Sequence, residues 1–349
     1  MSTRLRIGVV GAGLGSAPHF KSLLALADPV DVAWLHVRQP ERLTPSALPP
    51  GAQVTARYED LLEDPLLQAV IILTPPNTHL DLVQRAARAG KHVLLEKPLE
   101  ISLAKAEELV AVCEQHQVQL AVMLQHRLRE AFVALAALIA SGELGELTGA
   151  SCSMRWWRPQ SYYDEPGRGT LARDGGGVLI TQAIHTLDLM INLTGLPAQV
   201  TALARTSAVH RMECEDTVTA VFSFANGAIG SIDATTAAYP GFAERIALNF
   251  TRGSATLEAG QMQAELVDGR RLSAGSHQAT GTGANVMAFD HHAHQAVIAD
   301  FLQAIRSGGS PAVSGRSALQ VHRLIAALTE SAQSGRAMSL SRSGVRTGL

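Results

Sequence analysis

A short apolar strand that passes straight into a glycine turn and then a helix constrains this chain more than any other feature. Leu5 to Val10 is followed by GAGLGS, Gly11 to Ser16. Phe20, Leu23, Leu24 and Ala27 then fall at i, i+3, i+4 and i+7, one face of a helix. Apolar runs at Val30 to Val37, Ala69 to Leu73, His92 to Leu95 and Leu120 to Leu124 alternate with further helical patterns. One of these starts at a capping Ser102 and carries the stripe Leu103, Ala106, Leu109, Val110 and Cys113. Strands alternating with helices predict a doubly wound parallel sheet, an α/β fold with ligands at the carboxyl ends of its strands.

The texture changes after about residue 125. A helix near Leu128 to Ala140, ended by Gly142, leads into the segment SMRWWRPQSYYDEPGRGTLARDGGG. A short helix through His185 and Asp188 follows, then strand-like runs from Gln199 to Leu266 with Asn226-Gly227 as a hairpin turn. Ser273 to Asn285 reads as a loop, and two helices are expected near His291 to Arg306 and Gly315 to Ser334. With 349 residues the chain is long for one core. Two domains are expected, α/β over 1–125 and α+β with a mainly antiparallel open sheet over 126–341. The helices near 291–334 should pack back toward the N-terminal domain, and 342–349 should be a flexible tail.

Charge excludes one class of partner. Lys+Arg 29 against Asp+Glu 31 gives a net charge of −2, which offers no footprint for nucleic acid. No run approaches the ~20 apolar residues of a membrane span, and MSTRLRIGVVGAG does not read as a signal peptide. Cys113, Cys152 and Cys214 are far apart, odd in number and without CxxC, so they read as reduced thiols. A cytoplasmic protein without membrane or nucleic-acid partners is expected.

GAGLGS sits between strand and helix, the context a dinucleotide fingerprint requires. Gly11 would make the tight turn, Gly13 would let a pyrophosphate approach the backbone, and Ser16 stands small at the third glycine position. At the end of the second strand, where an acid would grip a ribose, the sequence is His36-Val37-Arg38. An arginine there meets a 2′-phosphate, so NADP is favoured over NAD. Lys97, in EKP directly after a buried run, is placed to hold a substrate hydroxyl. His185 has the unperturbed pKa, ~6.5, of a group that takes a proton from a carbinol. Asp188, three residues on, either orients that imidazole or bonds to backbone. Arg155 to Arg158 with Tyr162 and Tyr163 form either a saccharide wall, with Arg158 and Tyr163 as contacts, or an ordered packing loop. His291, His292 and His294 lack a completing ligand pattern, Asp290 reading as a helix N-cap, so no metal is expected.

Four motifs in order carry a resemblance: GxGxxS…PxH (Gly11 to His19), TPPNTH (Thr74 to His79), EKP (Glu96 to Pro98) and GGGxxxxQxxHxxD (Gly175 to Asp188). The chain resembles the Gfo/Idh/MocA oxidoreductases, which include glucose–fructose oxidoreductase and inositol dehydrogenases. FDHHAHQAVIADFLQAI (Phe289 to Ile305) is similar to the family's C-terminal helix.

The resemblance implies a Rossmann domain joined to a sheet domain whose open face makes homodimers or homotetramers. It implies hydride transfer between NADP or NAD and a secondary alcohol of a sugar, polyol, inositol or sugar acid. Lys97 and His185 become the catalytic pair, with Pro98 often in cis. Leu14, Thr74, Pro75, Asn77, His79 and Glu96 join Gly11, Gly13, Ser16, Arg38 and Lys97 around the cofactor. Gln125, Thr181 and Gln182 join Arg158 and Tyr163 at the substrate. Many members carry Asp or Asn where this chain has Thr181, so a charged Lys–Asp–His triad is not expected. Relatives that retain the cofactor and cleave glycosidic bonds, or that only sense dinucleotides, are the alternatives.

Overall fold

The computed structural model describes residues 4–26, 30–43, 51–276 and 291–340. They fall into two compact units, the first running to Gln125 and taking in 291–319, the second holding the remainder. The first unit is a parallel sheet of β1 (Leu5–Val10), β2 (Val30–His36), β3 (Gln53–Thr55), β4 (Ala69–Ile72), β5 (His92–Leu95) and β6 (Leu120–Val122). Its strand order is β3-β2-β1-β4-β5-β6. Ile7, Leu35, Ile72 and Leu94 are wholly buried, because helices cover both faces and the central strands are apolar throughout. The order reverses between β1 and β4, and the glycine turn leaves β1 at that switch point.

The helices of this unit are α1 (Ala17–Ala25), α2 (Tyr58–Glu63), α3 (His79–Arg88), α4 (Leu103–Gln115) and, from far along the chain, α8 (His292–Ser307). Ser102 caps α4 through its Oγ, which accepts from Lys105 N at 3.4 Å. On α1 the buried face is Pro18, His19, Phe20, Ser22 and Leu23, whereas Leu24 is 51% exposed. Periodicity put Leu24 inward. A three-residue turn before α1 and the packing of α8 on α1 select His19 and Ser22 instead. Ser22 Oγ donates to Pro18 O at 2.7 Å, which satisfies its hydroxyl in the core. Ala27 lies outside the described residues. The edge strand β3 was not foreseen, since three half-polar residues make no apolar run.

The second unit is built on a nine-stranded sheet in the order β14-β13-β12-β11-β7-β10-β9-β8-β15. Its strands are β7 (Leu147–Arg155), β8 (Gln199–Arg205), β9 (Thr217–Ser223), β10 (Ile229–Thr235), β11 (Arg245–Phe250), β12 (Gly253–Glu258), β13 (Gln261–Leu266), β14 (Arg271–Gly275) and β15 (Met338–Ser339). β7 and β10 pair in parallel and their neighbours run antiparallel. Gly227, at φ +90°, turns the β9–β10 hairpin at the Asn-Gly pair.

Helices α5 (Glu130–Ala140) and α7 (Ile184–Thr194) cover one face of this sheet, over Cys152, Met154, Ile246 and Leu248. The other face leaves Leu203, Val221 and Ile229 exposed. A short α6 (Gln160–Tyr163) follows β7, and a last helix, α9 (Gly315–Ser334), precedes β15. The loop expected from Ser273 begins later than the sequence suggests. Residues 271–275 form β14, which pairs with β13 because Leu272 and Ala274 continue a two-residue alternation hidden among Gly and Ser. The remainder of that loop, and the tail after Leu340, lie outside the described residues.

Candidate active site

In the first unit, the Gly11 amide donates to His36 O at 2.9 Å and the residue adopts φ +100°. A Cβ here would stand 3.2 Å from the Leu73 backbone, so only glycine suits both the angle and the neighbour. Gly13 and Gly15 instead have nothing within 4 Å of where a Cβ would lie. The backbone there borders open space at the start of the Leu14–Ser16 turn that feeds α1. Ser16 is buried and its Oγ donates to Gly13 O at 2.7 Å, closing the turn where a third glycine would sit. Open space beside the backbone at a helix start fits a dinucleotide pyrophosphate. Arg38 lies exposed two residues beyond β2.

TPPNTH leaves the carboxyl end of β4, with Thr74 and Pro75 half-buried and Asn77 exposed. Thr78 Oγ1 donates to Thr74 Oγ1 at 2.7 Å. His79 opens α3 fully buried, with Nε2 2.9 Å from Thr74 O and Nδ1 3.0 Å from Pro98 O. Both ring nitrogens are thus spent on backbone carbonyls, and His79 braces the loop after β4 against the loop after β5. Burial pushes its pKa down, against the pull of those carbonyls.

Glu96, Lys97 and Pro98 follow β5, and the Lys97–Pro98 bond is cis. Glu96 Oε2 accepts the Lys97 amide at 2.9 Å, while Oε1 lies 2.7 Å from His19 Nε2. Burial pushes the Glu96 carboxyl up, but the His19 hydrogen bond and the proximity of Lys97 and His294 outweigh it and bring it to about 2. Glu96 therefore acts within the protein as an ionised brace on the Lys97 backbone.

His19, Glu96 and His294 bring their ligand atoms within 4.8 Å of one another. Two ligands on a tetrahedral zinc, each at ~2.0–2.1 Å, would stand roughly 3.3 Å apart. The His19–Glu96 separation of 2.7 Å is that of a hydrogen bond. The His294 ring meets His19 edge-on, with centroids 5.1 Å apart, so it packs against that bond.

Gln125 closes the first unit, buried, with no hydrogen-bond partner for its Oε1 among the described residues. An orphaned acceptor of this kind fits a ligand donor.

In the second unit, Thr181 and Gln182 sit in a π-helical turn, Leu179–Ala183, directly before α7 and His185. The glycines before it are needed for space. A Cβ on Gly177 would fall 1.7 Å from Glu215 O, where the backbone of another segment meets the turn. Thr181 Oγ1 donates to Gly177 O at 2.6 Å and also contacts Gln182 Oε1. His185 is buried, and its ring stacks on His126 with centroids 4.6 Å apart.

Asp188 does not orient the imidazole and does not serve chiefly as a backbone cap. Its two oxygens take Arg127, Nε to Oδ2 at 2.7 Å and Nη2 to Oδ1 at 2.5 Å, in a buried bidentate pair. Three residues along a helix allowed either reading, and a guanidinium 61 residues earlier decides it.

The aromatic segment divides into two roles. Tyr163 is buried, its hydroxyl 2.7 Å from Thr236 Oγ1 and its ring 4.7 Å from His210. Tyr162 instead joins the turn before His185. Its hydroxyl accepts from Arg168 Nη1 at 2.9 Å and from Gln182 Nε2 at 3.4 Å. Arg158 and Arg168 lie over the Tyr162 ring at 5.7 and 4.4 Å. Arg158 is also buried, which pushes its pKa down, and its Nη1 donates to Trp157 O at 2.8 Å. The sequence placed Tyr162 in the candidate saccharide wall but chose Tyr163 as the contact, since two adjacent tyrosines look equivalent, and it did not single out Arg168. A strand-to-helix change between Arg155 and Gln160 would have been the signal that they point different ways.

Comparison with known proteins agrees with this geometry. Residues 5–124 match the model of an oxidoreductase family with NAD-binding Rossmann fold. Residues 132–256 match the GFO/IDH/MocA C-terminal domain. The WlbA dehydrogenase of Bordetella pertussis, solved in complex with NADH and UDP-GlcNAcA, superposes with TM-score 0.83 at 27% identity, covering 97% of this chain and 100% of that one. Myo-inositol 2-dehydrogenase of Thermotoga maritima is 28% identical over 256 residues, 71% of this chain and 74% of that relative. For the scyllo-inositol 2-dehydrogenase (NADP(+)) IolW of Bacillus subtilis the match is 26% over 201 residues, 57% of this chain and 54% of the relative, about half its length. With both units matched to models of one family, the chain belongs to the Gfo/Idh/MocA family of oxidoreductases, with an NAD-binding Rossmann domain.

Proposed function

We propose that this protein is a dehydrogenase or reductase acting on a secondary alcohol of a sugar, polyol, inositol or sugar acid, with NADP(H) preferred over NAD(H). The observation that carries the reading is the elaborate fixing of Lys97 and His185. The backbone amide of Lys97 is held by the ionised, half-buried carboxylate of Glu96. His185 follows a π-helical turn, a distortion of the helix that is frequent at functional sites.

In this reading the Lys97 ammonium holds the reacting hydroxyl and His185 takes its proton. Gln182 and Thr181 contribute hydrogen bonds, and Arg158, Tyr162 and Arg168 support the sugar side. Bound nicotinamide supplies hydride acceptance or donation. Gly11 makes the turn and Ser16 closes it, so that the backbone at Gly13 and Leu14 holds its pyrophosphate, and Thr74, Pro75 and Asn77 line its reactive end. The cofactor preference rests on Arg38, exposed beyond β2 where no acid stands to claim a ribose hydroxyl.

The exposed row on the open sheet face, with Leu203 at 75% and Val221 at 59%, supports association with a second copy there. Val221→Lys is expected to shift the mass seen by light scattering toward the monomer. An unchanged mass would remove that face from consideration.

The test of function is absorbance of reduced nicotinamide across polyols, aldoses, sugar acids and inositols, with NAD⁺ and NADP⁺ separately. Lys97→Ala is expected to lower kcat about 10²-fold or more while cofactor Kd stays within about threefold. Equal losses in both would remove the assigned role of Lys97. A tighter Kd for NAD⁺ would reverse the cofactor preference.

A further inference from the structure

The surroundings of His185 in the second unit hold a residue that neither the motif nor the proton-transfer role accounts for. The His126 ring lies on the His185 ring with centroids 4.6 Å apart and planes 26° from parallel, both residues being buried. His126 belongs to the short turn Gln125–Leu128, and the next residue, Arg127, grips Asp188 with both ends of its guanidinium. Asp188 stands one helical turn beyond His185 on α7, and Asn192 Nδ2 donates to its Oδ1 at 3.3 Å. The turn and the helix are therefore fixed in register by an ion pair beside the stack. His126 also borders a small cavity with Arg129, Thr186 and Glu244.

We propose that His126 is a positioning residue, whose ring sets the plane of the His185 imidazole and hence the directions in which its two nitrogens point. This rests on the assignment of His185 as the proton-transfer group. The physical need is plain. The second torsion of a histidine side chain has a broad, shallow preference, so what packs around an imidazole decides its plane. Asp188, the neighbour on the same helix face, is committed to Arg127. A flat ring stacked at van der Waals distance restricts that torsion without using a hydrogen-bonding nitrogen.

The experiment compares His126→Ala, His126→Phe and His185→Asn in the full chain, by steady-state kinetics and by NMR of histidine ring protons. His126→Ala is expected to lower kcat at least tenfold with KM within about threefold. His126→Phe, which keeps a flat ring, is expected to recover kcat to within about threefold of the parent. In the spectra, a cross-ring contact between His126 and His185 is expected in the parent. The His185 Hε1 signal is expected to move in the Ala variant and to hold its place in the Phe variant.

Parent-like kcat in His126→Ala, or a Phe variant as slow as Ala, would overturn the proposal. So would a parent spectrum without the cross-ring contact, a result that needs no variant to fold and no substrate to be known. Parent-like turnover in His185→Asn would sink the proton-transfer reading by itself and leave the stack to be judged on the spectra.

Discussion

At the scale of single residues, the pair Arg127–Asp188 shows how burial turns a modest contact into a requirement. Side chains that are 7% and 1% exposed meet through two hydrogen bonds, and each neutralises a charge that water would otherwise have to solvate. Removing one partner leaves the other charged in the interior, at a cost of ~3–5 kcal/mol. Arg127→Ala is therefore expected to lower the urea midpoint of unfolding by that equivalent. Arg127→Lys should recover only part, because an ammonium cannot reproduce the bidentate fork. A loss below about 1 kcal/mol in Arg127→Ala would mean that water reaches Asp188. The sequence offered Asp188 two roles and the structure gave it a third, since nothing in HTLD reports a guanidinium arriving from another turn.

At the scale of elements, β1, its turn and α1 act together. The strand carries the chain to the switch point, Gly11 reverses it under the Leu73 backbone, and Gly13 and Gly15 leave open space beside the turn. Gly11→Ala sets a Cβ 3.2 Å from that backbone at φ +100°, so the turn must shift. Dinucleotide Kd is expected to rise at least tenfold, read by calorimetry. Gly13→Ala places its Cβ with nothing within 4 Å among the described residues, so a loss of affinity in that variant is expected to report the bound cofactor. Both glycines were legible from spacing. His79 was legible as part of a motif but not as a brace, because its Nδ1 meets the Pro98 carbonyl of a loop that sequence could not bring near.

At the scale of the whole molecule, buried and half-buried histidines contribute to the pH dependence of stability. Burial lowers the pKa of His36, His79 and His92. The unfolded chain then binds more protons than the folded one below ~6.5, so their contribution is lost as pH falls through that range. His210 behaves oppositely. Burial pushes it down, but its hydrogen bond to Asp216 outweighs this and raises its pKa. Its contribution is complete below ~6.5 and is lost as pH rises through the higher folded value. The His210 part is read as the difference in unfolding free energy between the parent and His210→Asn, by urea titration from about pH 5 to 8.5, and that difference is expected to shrink as pH rises above ~6.5. A difference that grows with pH over that range would contradict the His210 pairing.

The sequence by itself determined the alternation of strand and helix, the glycine turn at the switch point and the family. Those signals are local: apolar period, turn chemistry and short motifs act within a few residues of one another. Only the tertiary structure decided which face of α1 is inward, that Tyr163 meets Thr236 while Tyr162 meets Arg168, that Asp188 belongs to Arg127, and that His126 lies on His185. Each of these depends on groups far apart in the chain meeting in a low-dielectric interior, where an unpaired polar group is costly and whichever partner arrives takes it.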